Sequence, residues 1–253
     1  MLIKTITVED LDARVYETRQ EMGVAAAAAA ADAIRGVLRE KEYANVVFAA
    51  APSQNEMLEA LLHEQIDFTR INAFHMDEYD GLSISDAQSF ATYLNDHIFS
   101  KAPFASVNYI PTKSGAEQAC LAYTRLLEEF PVDVVCMGIG ENGHIAFNDP
   151  PVADFNDPKR IKKVQLDEIC RQQQVHDGCF PTIDDVPRYA LTLTVPALLS
   201  AKHLICTVPA STKANAVKAM LYGEYGEICP ATALRKHKGA QLFLDRDSAA
   251  KVL

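Results

Sequence analysis

The stretch Val132–Pro151, VDVVCMGIGENGHIAFNDPP, decides the fold. Its first part, Val132–Met137, is an apolar run that predicts a buried strand of a parallel sheet. The run ends in Gly138, Gly140 and Gly143, followed by His144, Asp149 and the double proline Pro150–Pro151. Ligands of open α/β sheets bind beyond the carboxyl ends of the strands. A strand that empties into glycines, an imidazole and a carboxylate therefore marks a candidate site. The same glycines satisfy the dinucleotide pattern G-x-G-x-x-G, but that pattern needs a helix opening at the third glycine, whose amides receive the pyrophosphate. Only six residues separate Gly143 from Pro150, and Pro150, Pro151 and Pro158 punctuate the segment before the next apolar run near Val164. No crossover helix fits there. The glycines read as a tight strand-to-loop turn, and no nicotinamide cofactor is expected.

Upstream, residues 1–20 read as a short apolar start and a charged helical stretch. Met22–Arg39 is predicted as a long helix, whose alanine tract Ala25–Ala31 is a helix former ended by Asp32 and Arg35. Ala44–Ala50 reads as a buried strand, which runs through Ala51-Pro-Ser-Gln-Asn55 into a helix over Glu56–His63. Arg70–Met76 is the next strand, Ala87–Ser100 a helix, Val107–Ile110 a short strand, and Ser114–Glu129 a helix with Ser114 as its cap. Downstream, Lys162–Leu166 reads as a strand. Residues 167–188 are polar and irregular, with Gly178, Pro181 and Pro187 breaking any helix: a surface loop or a lid. Tyr189–Val195 and His203–Val208 are strands, Ser211–Leu221 a helix, Ala231–Lys236 a helical turn and Ala240–Leu244 the last strand. The alternation predicts an α/β fold, a three-layer α/β/α sandwich with a largely parallel, Rossmann-like sheet. With no repeat and no linker, residues 1–253 are expected to form one domain.

Composition limits the partners. Hydrophobic residues make up 49% of the 253, ample for a sizeable core. The net charge of -10 and pI near 5.2 argue against nucleic acid, which rewards a basic face. A small anion stays compatible, because a few local cations outweigh a distant net charge. The six cysteines form no C-x-x-C pair, and no His/Cys/Asp cluster has metal-ligand spacing, so neither a metal nor a disulfide framework is expected. No apolar run reaches membrane-spanning length and no leader is recognisable. The expectation is a cytoplasmic enzyme with a small-molecule partner, no nucleic acid, no membrane and an open question of homo-oligomers.

Asp77 and Glu78 follow the strand ending at Met76, where carboxylates can do general acid–base work, or where one can cap a turn while the other is solvated. His144 and Asp149 can form an imidazole–carboxylate pair that fixes the tautomer, or a plain loop hydrogen bond. Pro52-Ser-Gln-Asn55 and Ser211-Thr-Lys213 each open a predicted helix. Ser53, Gln54 and Lys213 can thus meet an anion on free amides, or simply cap and solvate.

The loop GIGENGHIAFNDP resembles the signature of the glucosamine-6-phosphate deaminase/isomerase family, G-x-G-x-[DN]-G-H-[IL]-[AG]-F-N-[ED]-P. Phe74-His-Met-Asp-Glu-Tyr-Asp-Gly-Leu82 resembles the family's F-x-M-D-E-Y-x-G-L, and the likeness extends over nearly the whole chain. The resemblance implies conversion of glucosamine 6-phosphate to fructose 6-phosphate and ammonia without cofactor or metal. It assigns Asp77 the proton transfer between C1 and C2, with Glu78 in support. It assigns His144, oriented by Asp149, the opening of the sugar ring, with Asn142 able to hydrogen-bond to the sugar but not to carry a proton. Lys213, Ser53, Gln54 and the backbone at Gly140 and Gly143 are implied at the substrate and its phosphate. The chain departs from the pattern in four places. Asn142 stands where many members have Asp, and Asp149 where many have Glu. Ala51-Pro-Ser-Gln-Asn55 replaces a T-G-G-T-P loop. Only Arg171, or Gln174 in its stead, is offered where members bring a phosphate-binding arginine. Galactosamine 6-phosphate as substrate, a 6-phosphogluconolactonase and a non-catalytic sugar-phosphate sensor are the alternatives. The lactonases typically continue D-G-H-T-A-S-L-F, whereas Ile145-Ala-Phe-Asn148 follows the histidine here.

Overall fold

The computed structural model describes all 253 residues. The chain opens with an antiparallel hairpin, β1 (Leu2–Val8) and β2 (Leu11–Tyr16), which replaces the charged helical stretch expected over residues 1–20. In β2 the buried residues Leu11, Ala13 and Val15 alternate with Asp12, Arg14 and Tyr16, the two-residue period of a strand covered on one face. Charge density had masked that period. Helix α1 (Arg19–Glu40) follows, opened by a capping box between Thr18 and Glu21. Its buried Ala26, Ala27, Ala30 and Ala31 face the sheet.

Then come β3 (Ala44–Phe48), a 3-10 turn at Pro52–Gln54, α2 (Asn55–Leu61), β4 (Ile71–His75) and β5 (Asp77–Tyr79). Helix α3 (Phe90–Leu94) widens into a π-helical turn at Asn95–Phe99. After β6 (Ser106–Asn108) comes α4 (Ala116–Glu129). Its cap is Gly115 and not Ser114, whose hydroxyl turns back to the Pro111 carbonyl. Strands β7 (Val134–Met137) and β8 (Ile161–Gln165) lead to α5 (Glu168–His176), which lies inside the segment expected to hold no helix. Asp167 caps α5 by accepting from the Cys170 amide at 2.6 Å, and nine residues fit before Gly178 ends the helix. The chain finishes with β9 (Tyr189–Leu193), α6 (Val195–Leu199), β10 (His203–Val208), α7 (Ala214–Tyr222), a 3-10 segment at Pro230–Lys236 and β11 (Ala240–Asp245).

Eight strands form one sheet in the order β1-β2-β11-β10-β7-β3-β4-β6, parallel throughout except for the hairpin. Alternation along the central strands divides the core between its faces. Val47, Phe74, Val135, Leu204 and Leu242 pack with α4, α6 and α7. Val46, Ala73, Val134, Ile205 and Phe243 pack with α1, α2 and α3. This is the three-layer α/β/α arrangement. A second, antiparallel sheet of order β5-β9-β8 was not foreseen. It connects segments far apart in the chain, and it is what assembles the site.

Candidate active site

β3 pairs with β4 on one side and β7 on the other, so the chain order reverses between β3 and β7. At such a switch point the connections leave in opposite directions and open a crevice at the carboxyl ends of the strands. The cavity found there is lined by Ala49–Gln54 after β3, Met76 and Asp77 after β4, Gly138–Gly140 after β7 and Lys213 after β10. His144, Phe90, Gln173, Gln174, Asp177 and Cys179 complete most of its wall.

Asp77 and Glu78 are neighbours in β5 and so face opposite ways. Asp77 lines the cavity. Burial, followed by the nearby Glu78 charge, raises its carboxyl well above the ordinary value of 3.8. Glu78 does not line the cavity, which corrects its grouping with Asp77. It accepts from the amides of Phe90 and Ala91 at 3.0 and 2.9 Å, capping α3, and from its neighbour Tyr79 at 3.0 Å. Burial pushes its carboxyl up to about 7, against the lowering effect of those amides. Glu78→Ala would leave the amides buried without an acceptor and is expected to cost about 2–3 kcal/mol of stability. Glu78→Gln keeps one acceptor oxygen, enough for the Tyr79 and Phe90 amides but not for that of Ala91, and should lose less than Glu78→Ala; denaturant unfolding of the two variants checks this.

The β7 loop folds back on itself. The Gly140 amide donates to the His144 carbonyl at 2.9 Å, and the His144 ring lies over Gly140, where an added Cβ would sit 2.1 Å from the ring. Only glycine permits that approach. Gly143 has φ +85°, and a Cβ there would meet Cys229 Sγ at 2.6 Å. Neither Gly143 nor Asn142 lines the cavity; both shape the loop that does. The Asn142 carbonyl oxygen accepts from the His144 amide at 3.0 Å, and its Nδ2 donates to Asp149 Oδ1 at 2.9 Å. Asp149 Oδ1 also lies 2.9 Å from His144 Nδ1, behind the ring as seen from the cavity wall. That contact is close but not aligned as a full hydrogen bond, and Asp149 Oδ2 has no partner. Burial pushes the Asp149 carboxyl up, but His144, Asn142 and Cys170 together bring it below its ordinary value.

The second sheet ties these parts together. Asp77 is in register with Thr192 of β9. The same Thr192 hydroxyl accepts from the Phe147 amide at 3.0 Å, and Asn148 Nδ2 donates to the Leu193 carbonyl at 2.8 Å. One strand thus holds both the acid and the histidine loop.

At the other end, Lys213 closes a 3-10 turn, Ser211–Lys213, that leads into α7. It is only 6% exposed, and it makes no ion pair. Burial lowers its ammonium's pKa, with Asp177 and Glu141 opposing. Ser53 lines the same cavity. Gln54 is spent on architecture: Nε2 donates to Ser53 Oγ and the Thr207 carbonyl, while Oε1 accepts from the Thr207 hydroxyl at 2.8 Å. Arg171 is not at this end of the cavity. Its guanidinium donates to the carbonyls of Ile183 and Val186, pinning that loop. Gln173, Gln174 and Asp177 of the same segment line the wall instead. Their spacing of one and four places them on one helical face, a signal available once α5 is recognised. The fold also brings His144, Asp149 and Cys170 together, with one ligating atom of each within 4.8 Å of the others, although their spacing in sequence carries no metal pattern.

A buried acid, a carboxylate-backed imidazole and a lone ammonium gather at the switch point of an open α/β sheet, a set of groups suited to proton transfer on a small anion. A family model described as glucosamine-6-phosphate isomerases/6-phosphogluconolactonase matches residues 17–243, and the chain belongs to that family. A glucosamine-6-phosphate deaminase of Bacillus cereus (strain B4264) is 34% identical over 217 residues, 85% of this chain and 80% of the relative. The solved structure of a monomeric glucosamine-6-phosphate deaminase matches with a TM-score of 0.85 at 31% identity, covering 94% of this chain and 98% of that one. A 6-phosphogluconolactonase from Thermotoga maritima shares the fold with a TM-score of 0.73 at 22% identity, covering 91% and 97%. No helix is long and apolar enough to cross a membrane.

Proposed function

We propose that this chain is an amino-sugar phosphate deaminase/isomerase, converting glucosamine 6-phosphate to fructose 6-phosphate and ammonia. The observation that carries the reading is that Asp77, His144 and Lys213 line one cavity at the switch point. Lys213 and Ser53 hold the phosphate and so fix the sugar relative to the acid. His144, oriented by Asp149 and Asn142, moves the proton needed to open the ring. Asp77 then takes the proton from C2 and returns it to C1. The resulting imine at C2 reacts with water and releases ammonia. Asn142 carries no proton and acts only by holding its neighbours. The 6-phosphogluconolactonase reading rests on a family model that covers both activities and on solved structures that share the fold at low identity, and the sensor reading has no use for a buried acid lining the cavity.

Ammonia release from glucosamine 6-phosphate and galactosamine 6-phosphate, measured side by side, tests this. Release from either supports the deaminase, and the ratio identifies the sugar. Binding without release from both would favour the sensor. Neither binding nor release, with hydrolysis of 6-phosphogluconolactone, would favour the lactonase.

A pH dependence follows from Asp77. A base works when ionised, and burial raises this carboxyl above 3.8. Lowering the pH therefore protonates Asp77 and removes activity, starting above the range of an ordinary aspartate. The check is kcat against pH at saturating substrate, where the free phosphate's own titration does not enter. A kcat flat down to about pH 4 would exclude Asp77 as the base.

A further inference from the structure

The group His144, Asp149 and Cys170 has a capacity that proton transfer does not use. We propose that these residues form a site for a thiophilic divalent cation of the zinc type, and that its occupation shuts the enzyme down. The three side chains reach one another from the β7 loop, the turn before Pro150 and helix α5, and one ligating atom of each lies within 4.8 Å of the others. Ligands on a tetrahedral zinc are about 3.3–3.7 Å apart, given bonds of about 2.0–2.3 Å, so small side-chain shifts suffice. A carboxylate oxygen is also free. Asp149 Oδ2 belongs to a side chain only 1% exposed and has no aligned hydrogen-bond partner, while His144 Nδ1 meets the other oxygen of that carboxylate at 2.9 Å. Buried polar atoms are nearly always satisfied, so the free carboxylate oxygen points to a missing partner.

Chemistry selects the kind of ion. A thiolate, an imidazole and a carboxylate form a mixed set suited to zinc rather than to magnesium or calcium, which take oxygen. A carboxylate and a thiolate neutralise a divalent charge, so the bound ion carries no net charge into a buried place. His144 lines the cavity and is the point of entry. A cysteine ligates as the thiolate, so binding expels the Cys170 proton. A bound ion captures His144 and draws Asp149 from behind the ring. The ring-opening step then loses its imidazole. Binding stands independently of the functional reading; inhibition rests on it.

The experiment titrates metal-free protein with Co²⁺, whose thiolate charge-transfer band reports a Cys ligand, and competes it with Zn²⁺. Ammonia release is followed in parallel with Zn²⁺, then with a chelator. The expected result is a charge-transfer band lost in Cys170→Ser and kept in Cys179→Ser. Zn²⁺ inhibition should be reversed by chelation and weakened at least tenfold in Cys170→Ser, each variant referred to its own metal-free rate. Absence of the band in the parent protein overturns the site, as does a band that follows Cys179. Zn²⁺ inhibition unchanged in Cys170→Ser overturns its inhibitory role. A Cys170-dependent band in protein that never releases ammonia would keep the site and remove the deaminase reading instead. Should Cys170→Ser not fold, Cys170→Ala takes its place.

Discussion

Asp77→Asn is expected to lower turnover by about 10²–10⁴-fold while leaving binding of the sugar phosphate within a few-fold. The amide has the size and the hydrogen-bonding reach of the carboxyl, so the β5–β9 pairing that places residue 77 opposite Thr192 is undisturbed. What it lacks is a basic oxygen. Asp77 lines the cavity and Glu78 does not, so no second carboxylate of the pair can substitute. Removing a buried charge also relieves the protein of a desolvated group, so stability should hold or rise. The measurements are kcat from ammonia release and an independent affinity from calorimetry. A variant with near-normal kcat would put the base elsewhere, and loss of affinity in step with kcat would make Asp77 a binding residue.

What could be read in advance follows the range of the interactions. Strand β10 lies where the apolar run His203–Val208 placed it, because a strand buried on both faces announces itself locally. The site's assembly could not be read this way. β5 is three residues long, and its partner β9 lies more than a hundred residues on, so nothing near Asp77 shows that it hangs from Thr192. The glycine loop was legible because its constraint is local: the His144 ring sits where a Gly140 side chain would be. Arg171 was misplaced for the opposite reason. A cation in a polar segment looks like a ligand for phosphate, yet Ile183 and Val186 supply carbonyls that only the folded loop presents. Cys170 looked like one more scattered cysteine until α5 turned it toward Asp149.

Lys213→Ala is expected to raise the substrate KM roughly ten- to a hundredfold with a smaller effect on kcat, the loss of about 1.5–3 kcal/mol that a hydrogen bond to a charged group contributes. The argument turns on how few cations this end holds. Arg171 is committed to its loop, the T-G-G-T-P amides are replaced by Ala51-Pro-Ser-Gln-Asn55, and Gln54 is bound to Thr207. Among the cavity-lining side chains Lys213 is then the one permanent positive charge, and the charge of Asp177, which lines the same cavity, acts on it. A lysine desolvated beside an acid is held ready for an anion but is partly neutralised by that acid. Asp177→Asn should therefore move KM the other way, lowering it several-fold, because it removes a like charge from the phosphate's surroundings. Initial rates over a range of substrate, at constant ionic strength, separate the two effects. If Lys213→Ala changed kcat alone, or if both variants shifted KM in the same direction, the phosphate would be held elsewhere in the cavity and the sugar would lie reversed relative to Asp77.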